Sequence, residues 1–120
     1  MGRVFGVHPD EDNGGVILAN ADGWDAEKWF VGPWNSSVPA AISFGGHAGP
    51  TAHAHDEMFE IYLVASGAAT IEVDGASRTL GPGRILVVEP GEVHRFTDST
   101  PDYRHFVVQT PFVAGDKRLA

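Results

Sequence analysis

The chain has 120 residues, 42% of them hydrophobic and 20% charged, which is enough for one domain with a hydrophobic core but not for two. Sixteen acidic and eight basic residues give a formal net charge of −8, so nucleic acid and anionic membrane surfaces are unfavourable partners. The absence of cysteine excludes disulfides and thiolate ligands. No apolar stretch has the length of a membrane span and no signal peptide is recognisable, so we expect a single cytoplasmic domain, residues 1–120, that acts on a small molecule.

The start of the chain contains short apolar runs separated by turn residues. Val4–Val7, Val16–Leu18 and Trp29–Val31 have the length and composition of short strands. The stretch from Asp22 to Phe30 is also compatible with a single helical turn, and the sequence does not decide between the two conformations. This part of the chain is therefore less regular than the remainder.

From residue 40 onward the pattern predicts strands joined by turns that contain glycine or proline. Asp74-Gly75 is the preferred pair for a type I′ turn, because both central positions need a positive φ, and it predicts a hairpin. Gly115–Ala120 has the composition of a polar tail. We expect an all-β sandwich or barrel whose core spans about 38–113. The predicted strands are Ala40–Phe44, Met58–Ala65, Ala69–Val73, Ser77–Leu80, Ile85–Val88, Val93–Thr97 and Tyr103–Thr110.

Three histidines and one glutamate lie where strands would turn them toward the same interior. Alternate residues of a strand point to one face, so His53 and His55 can present two imidazoles side by side. Glu60 shares the parity of Tyr62 in the next apolar run, and His94 begins a strand after a turn. Buried polar groups are costly unless they are satisfied, and imidazole nitrogens with a carboxylate oxygen suit a divalent transition metal. We therefore expect a metal centre inside a barrel.

The spacing of these residues resembles the two sequence motifs of the cupin superfamily. The first motif is His53-x-His55, four residues, Glu60, six residues and Gly67, and the second is Gly83, five residues and Glu89-Pro90-Gly91-Glu92-Val93-His94. Fifteen residues separate the two motifs, which occur in the expected order. In one departure from the pattern, His47 stands where a glycine usually precedes the first histidine.

The resemblance implies a six-to-eight-stranded double-sheet barrel, also called a double-stranded β-helix or jelly roll. It implies that one divalent transition metal per chain (iron, manganese, nickel, cobalt or zinc) is held by His53, His55, Glu60 and His94. The motif glycines Gly67, Gly83 and Gly91 carry over as turn positions that a side chain would strain. Cupins of this kind commonly form dimers, so we expect a homodimer, for which the tryptophan-bearing N-terminal third offers one interface.

Residues at strand positions that point toward the barrel interior are the candidates for the wall of a substrate pocket. Tyr62 shares the face of Glu60, and the pair are the candidate catalytic residues, although a core tyrosine with its hydroxyl at the rim explains the pattern equally well. The tryptophans are compatible with a sugar-stacking platform and with packing or dimer contacts; they are Trp24, Trp29 and Trp34. The candidate pocket residues are Met58, Tyr62, Phe96, His105 and Gln109.

Three classes of function are compatible with such a site. Four protein ligands leave two adjacent positions of an octahedral metal open, which suits an oxygen-rich, bidentate substrate. This arrangement predicts a Lewis-acid isomerase, cyclase or lyase, or an oxygen-activating dioxygenase if the metal is iron. Non-catalytic binding of a sugar or metabolite and a purely structural or storage role for the metal are the alternatives. Because histidines must be neutral to bind, we expect metal loss below about pH 6.

Overall fold

The computed structural model describes residues 21, 24, 27–46 and 50–120, which form strands, turns and loops without a helix. No helix that could cross a membrane is therefore found in this part of the chain. The predicted strands Val4–Val7 and Val16–Leu18 lie outside the described residues, as does part of the stretch that is compatible with a helical turn. The described end of that stretch is extended, because it enters the first strand.

The described residues form ten strands. Every strand predicted between residues 29 and 110 is confirmed, with boundaries that shift by at most two residues. The strands are β1 (Lys28–Val31), β2 (Ala41–Gly45), β3 (His53–Ala54), β4 (Phe59–Ser66), β5 (Ala69–Val73), β6 (Ala76–Leu80), β7 (Ile85–Val88), β8 (His94–Ser99), β9 (Arg104–Thr110) and β10 (Arg118–Leu119).

Two five-stranded antiparallel sheets contain all of these strands. The first sheet has the order β1-β2-β9-β4-β7, and the second has the order β10-β3-β8-β5-β6. From β3 onward the chain passes repeatedly from one sheet to the other, which is the winding of a double-stranded β-helix. The predicted all-β double-sheet barrel is confirmed.

The hydrophobic core lies between the two sheets. Tyr62 and Val107 contribute to it from the first sheet, and Ile71 and Phe96 contribute from the second. Tyr103, which precedes β9, is also fully buried in this cluster. Burial of these side chains from both sheets provides the main stabilisation of the barrel.

Buried and less buried side chains alternate along strand β4, and this alternation positions the polar site beside the core. Glu60, Tyr62 and Val64 are buried, whereas the residues between them are less so. On the adjacent strand β9, Gln109 lies opposite Glu60 and Val107 lies opposite Tyr62. Because β4 is paired on both edges, the Glu60 backbone is held in a fixed register.

The outer surface of the first sheet is also apolar, which is unusual for an antiparallel sheet with one face toward solvent. Its exposed residues include Ile85 at 64%, Val87 at 49% and Phe106 at 41%. Ile61 and Leu63 share this surface, because they alternate with the buried residues of β4. We call these five residues the outer apolar face.

Four turns have backbone conformations that their residues predict. Asp74 and Gly75 have φ angles of 48° and 82°, as a type I′ turn requires, and they join β5 to β6. The motif glycines Gly67, Gly83 and Gly91 also have positive φ. At Gly67 a side chain would additionally meet the main chain of Tyr103, since an added Cβ would lie 2.6 Å from its nitrogen.

The last residues of the chain lie along the second sheet. β10 pairs with β3, so that Arg118 lies opposite Ala54 and Leu119 lies opposite His53. The prediction of a polar tail is therefore wrong at these positions. Polar composition gave no sign of the pairing, because main-chain hydrogen bonds to β3 do not depend on apolar side chains.

Candidate metal centre

The four predicted ligands come together in the interior of the barrel. His53 in β3 lies directly opposite His94 in β8, His55 follows β3, and Glu60 lies near the start of β4. One ligand atom from each residue lies within 4.8 Å of the other three. His53 is half-buried and the other three residues are buried. The cluster could therefore hold a metal ion.

Each imidazole of the cluster is oriented by a main-chain carbonyl. The Nδ1 atoms of His53, His55 and His94 lie 3.0, 2.5 and 3.2 Å from the carbonyl oxygens of Thr51, Asp116 and Glu92, respectively. A carbonyl oxygen can only accept a hydrogen bond, so each Nδ1 carries the proton and each Nε2 presents a lone pair. Histidines that bind metals are commonly oriented in this way.

The carboxylate of Glu60 is the centre of a buried polar network. Its Oε1 accepts a hydrogen bond from the Tyr62 hydroxyl at 2.9 Å and lies 2.8 Å from Nε2 of His94, while Oε2 accepts from Nε2 of Gln109 at 2.8 Å. Burial alone would raise the pKa of Glu60, but His55, His94 and Gln109 together hold that pKa well below its usual range. Glu60 is therefore an anion in the folded protein.

The polar atoms of this cluster fit a divalent cation. Nε2 of His55 is buried without a hydrogen-bond partner among the described residues and lies 3.3 Å from Oε1 of Glu60. With their Nδ1 atoms protonated, His55 and His94 both direct a lone pair at a carboxylate oxygen, which is repulsive unless a proton or a metal ion lies between them. Although burial alone would lower it, the pKa of His55 is raised by the adjacent Glu60. Three nitrogens and one oxygen form a suitable donor set for a transition metal.

A cavity of about 530 Å³ lies beside the cluster and is lined by His53, His55 and Glu60. Small-molecule sites commonly have volumes of roughly 300–1,000 Å³. The structure places all five of the predicted pocket residues in the wall of this cavity: Met58, Tyr62, Phe96, His105 and Gln109.

Aromatic side chains form another part of the cavity wall. Trp29 and Trp34 line it together with Phe112, whose ring meets that of Trp34 edge-on at a centroid distance of 6.1 Å. Trp24 is instead 41% exposed and packs edge-on against Phe30. Phe112 follows β9 in a loop, where strand alternation gave no reason to predict an inward position.

Glu27 and Lys117 are charged residues of the cavity wall that were not predicted from the sequence. Burial and the negative charge of Glu60 raise the pKa of Glu27, and the positive charge of Lys117 opposes them. Both residues lie just outside strands, Glu27 before β1 and Lys117 before β10. Period-two alternation therefore provides no signal for either of them.

His105 is a buried, neutral imidazole in the same wall. Its Nδ1 lies 2.7 Å from the Tyr103 hydroxyl, and burial lowers the pKa of His105 to about 4. The Tyr103 hydroxyl has no other hydrogen-bond partner in the described part of the chain, so we assign the hydroxyl as the donor and Nδ1 as the acceptor. The proton of His105 is then on Nε2, a buried donor without an acceptor among the described residues.

The family follows from comparison with known proteins. The sequence profile of the cupin domain matches residues 42–107, which is more than half of the chain. The chain belongs to the cupin family. The matched range contains both motifs and all four residues of the cluster, so the resemblance of the sequence to cupins is confirmed. A search of curated proteins gives no significant match.

Solved structures with the fold of this cupin include three with broad coverage. KdgF from Halomonas sp. is 25% identical with a TM-score of 0.58, over 73% of this chain and 79% of its own. A protein with a double-stranded β-helix domain from Klebsiella pneumoniae is 23% identical with a TM-score of 0.64, over 86% and 90%. Streptomyces Pac13, a nucleoside dehydratase, is 14% identical with a TM-score of 0.60, over 78% and 84%. The last two likenesses show the fold alone.

Proposed function

We propose that this cupin is a metal-dependent enzyme that acts on an oxygen-rich small molecule. The observation that supports the proposal best is that His53, His55 and Glu60 line a cavity instead of being enclosed on all sides. Structural metal sites are closed, whereas catalytic sites keep coordination positions for a substrate. Four protein ligands on an octahedral ion leave two such positions, which suits a substrate with two neighbouring oxygens, such as a hydroxy acid, an enediol or a β-diketone.

The residues around Glu60 support the metal site as hydrogen-bond donors. A bound divalent metal would supply a Lewis acid, or an oxygen-activating centre if it is iron. Burial and the charge of Glu60 raise the pKa of Tyr62 well above its usual value, so its hydroxyl stays protonated and donates to Oε1. Gln109 holds Oε2 in the same way. We therefore propose that Tyr62 acts as a donor and not as a base.

Isomerase or lyase chemistry also needs a proton acceptor, and Glu27 is the residue that we propose. Among the described residues, three carboxylates line the cavity: Glu27, Glu60 and Asp116. Glu60 belongs to the cluster, and both oxygens of Asp116 accept hydrogen bonds from main-chain N–H groups. The raised pKa of Glu27 brings it closer to neutral pH, where a carboxylate is a more effective acid or base.

The proposal is tested first by elemental analysis of untagged protein, since a polyhistidine tag would itself collect metal. We expect about one transition metal ion per chain, bound by the wild type and by Glu72→Gln, but not by Glu60→Gln. Glu72 is a suitable control because it pairs with Arg95 on the outer surface of the second sheet. If the bound metal is iron, the next step is an oxygen-uptake assay with catechols and β-diketones. If it is another metal, isomerisation and elimination assays with hydroxy acids and sugars follow. A protein that takes up no metal after reconstitution would refute the proposal.

The aromatic wall favours a second candidate function, the binding of a sugar or another ring-shaped metabolite without turnover. Trp29, Trp34 and Phe112 provide flat apolar surfaces near the cluster, and such surfaces stack on rings. Native mass spectrometry of the purified protein tests this candidate. A tightly retained small molecule that is lost in Trp34→Ala, together with the absence of turnover, would favour binding over catalysis.

We also propose that two copies associate through the outer apolar face. None of its five residues carries a charge, although the chain as a whole has a formal net charge of −8. Two copies can therefore bring this face together without opposing carboxylates, and exposed apolar patches of this kind commonly mark interaction sites. The sequence pointed to the tryptophan-bearing N-terminal third, but Trp29 and Trp34 line the cavity.

A further inference from the structure

Asp116 contacts the ligand His55 with its main-chain carbonyl and the loop after His55 with its side chain. Its Oδ1 accepts a 2.9 Å hydrogen bond from the main-chain N–H of Asp56, and its Oδ2 accepts 2.9 Å bonds from those of Glu57 and Met58. Its main-chain carbonyl accepts the Nδ1–H of His55. We propose that Asp116 is the positioning residue of the metal centre, fixing the tautomer and orientation of the His55 ring. This inference rests on the proposed metal-binding function.

The carboxylate of Asp116 holds the short loop that joins two of the ligands. The three N–H groups that it accepts belong to the residues between His55 and Glu60. Burial alone would raise the pKa of Asp116, but these three donors lower it, so the side chain stays charged and its hydrogen bonds are charge-assisted. The loop and the segment that contains Asp116 are thereby fixed to each other.

His55 is consequently held from two directions. Its main-chain carbonyl accepts a 2.7 Å hydrogen bond from the N–H of Gly91, and its ring donates to the carbonyl of Asp116. The second contact places a proton on Nδ1 and directs Nε2 toward Oε1 of Glu60, 3.3 Å away, where a metal ion or a second proton would lie between the two atoms. Removing the Asp116 carboxylate would release the carbonyl from its position, and the ring could then rotate or change tautomer.

Other contacts attach the same segment to the barrel without touching a ligand side chain. The guanidinium of Arg118 pairs with Asp56 at 3.1 Å, and β10 pairs with β3. If Asp116 only fastened the end of the chain, breaking the Arg118–Asp56 pair would have a comparable effect. Arg118→Ala is therefore the matched control, because it weakens the attachment and leaves the Asp116 carboxylate in place.

The test compares metal-free wild type, Asp116→Ala, Asp116→Asn and Arg118→Ala. Each protein is titrated with Zn²⁺ by calorimetry and with Co²⁺ by optical absorption, and the His55 tautomer is read from ¹⁵N imidazole shifts before metal is added, at a pH high enough for the ring to be neutral. We expect Asp116→Ala to weaken Zn²⁺ binding by about 10- to 100-fold, to change the Co²⁺ spectrum and to leave His55 in a mixture of tautomers. Asp116→Asn should be intermediate, since it keeps one acceptor oxygen, and Arg118→Ala should remain within about twofold of wild type.

Two outcomes would overturn the inference. Asp116→Ala with wild-type affinity and an unchanged His55 tautomer would exclude a positioning role. An equal loss in Arg118→Ala would show that attachment of the segment is what matters. If Asp116→Ala does not fold by circular dichroism, Asp116→Asn decides by the same criteria. Failure of the wild type to bind either metal would refute the proposed function instead, while the ¹⁵N shifts of the metal-free proteins would still decide whether Asp116 fixes His55.

Discussion

Gln109 and Glu60 lie opposite each other on β9 and β4, and the side-chain amide of Gln109 donates a 2.8 Å hydrogen bond to Oε2 of Glu60. The other oxygen, Oε1, is directed at His55 and His94. The carboxylate thus presents Oε2 to the Gln109 amide on β9 and Oε1 to the histidines and the Tyr62 hydroxyl. An amide suits the first role because it keeps its donor hydrogens at all pH values at which the protein is folded.

We expect Gln109→Leu to destabilise the metal-free protein. The variant leaves Oε2 of Glu60 buried without a donor, and such a loss costs about 1–3 kcal/mol in the free energy of unfolding. Urea denaturation at neutral pH measures the change. Thr110→Val is the neighbouring control, because the contact of its hydroxyl with Pro39 is long, at 3.5 Å. Equal stabilities of Gln109→Leu and wild type would show that Glu60 does not depend on this donor.

We expect Glu27→Gln to remove the acid limb from the pH profile of any proton-transfer reaction of this site. Because burial and Glu60 raise the pKa of Glu27, partly offset by Lys117, the wild-type rate should fall with acid at a pH above the ordinary carboxyl range. The measurement is kcat/KM against pH for wild type, Glu27→Gln and the control Glu72→Gln. A limb that persists in Glu27→Gln over the pH range in which metal analysis shows the ion still bound would assign the base to another group.

The parts of the site that follow strand alternation could be predicted from the sequence. Glu60 and Tyr62 share a face because successive side chains of β4 alternate, and the motif spacing brought His53 and His94 into register across β3 and β8. The Asp74-Gly75 turn was equally predictable, since few residue pairs tolerate two positive φ angles. In each case a local rule of backbone geometry determines the face on which a side chain lies or the turn type that the residues form.

The residues that the sequence did not reveal lie in loops. Asp116 is 61 positions from His55, and Phe112 and Lys117 lie between β9 and β10, where no periodicity relates a residue to the barrel interior. Their positions depend on how the chain crosses from one sheet to the other. Such contacts are set by tertiary packing, and a hydrogen bond to a main-chain carbonyl gives no side-chain pattern to detect.

We expect His105 to make the metal-free protein less stable in mild acid. Burial lowers the pKa of His105 to about 4, whereas an unfolded histidine has a pKa of about 6.5. The unfolded state therefore binds the proton first. The stabilising contribution of neutral His105 is complete above about pH 6.5 and is lost as the pH falls through 4, with about 3 kcal/mol gone at pH 4.

His105→Gln provides the comparison for this effect, because it removes the titrating group. Urea curves between about pH 7 and pH 4 give the unfolding free energy of both proteins. Over this range the wild type should lose about 3 kcal/mol relative to the variant. Tyr103→Phe should lower stability but keep the pH dependence, since the His105 imidazole remains buried in that variant. A wild-type-minus-variant difference that does not change with pH would contradict the assignment.

We expect Ile85→Lys to convert a dimer into a monomer. Ile85 is 64% exposed in the single chain, so the substitution should alter the unfolding free energy of the monomer little, while it would place a charge in the proposed interface. Sedimentation equilibrium should show a dissociation constant raised at least about tenfold. The control is Thr79→Lys, an exposed position in β6 of the second sheet. A monomeric wild type, or equal effects of the two lysines, would refute the outer apolar face as the dimer contact.

We expect Gly67→Ala to be more destabilising than Gly75→Ala, although both glycines have a positive φ, 69° and 82° respectively. The left-handed conformation alone should cost each alanine about 1–2 kcal/mol. At Gly75 the new methyl group meets nothing within 4 Å, whereas at Gly67 it would lie 2.6 Å from the main-chain nitrogen of fully buried Tyr103. Relieving that clash means moving a core residue, which adds about 1–3 kcal/mol. Urea denaturation of both variants measures the difference, and equal losses would mean that the Tyr103 main chain yields without cost.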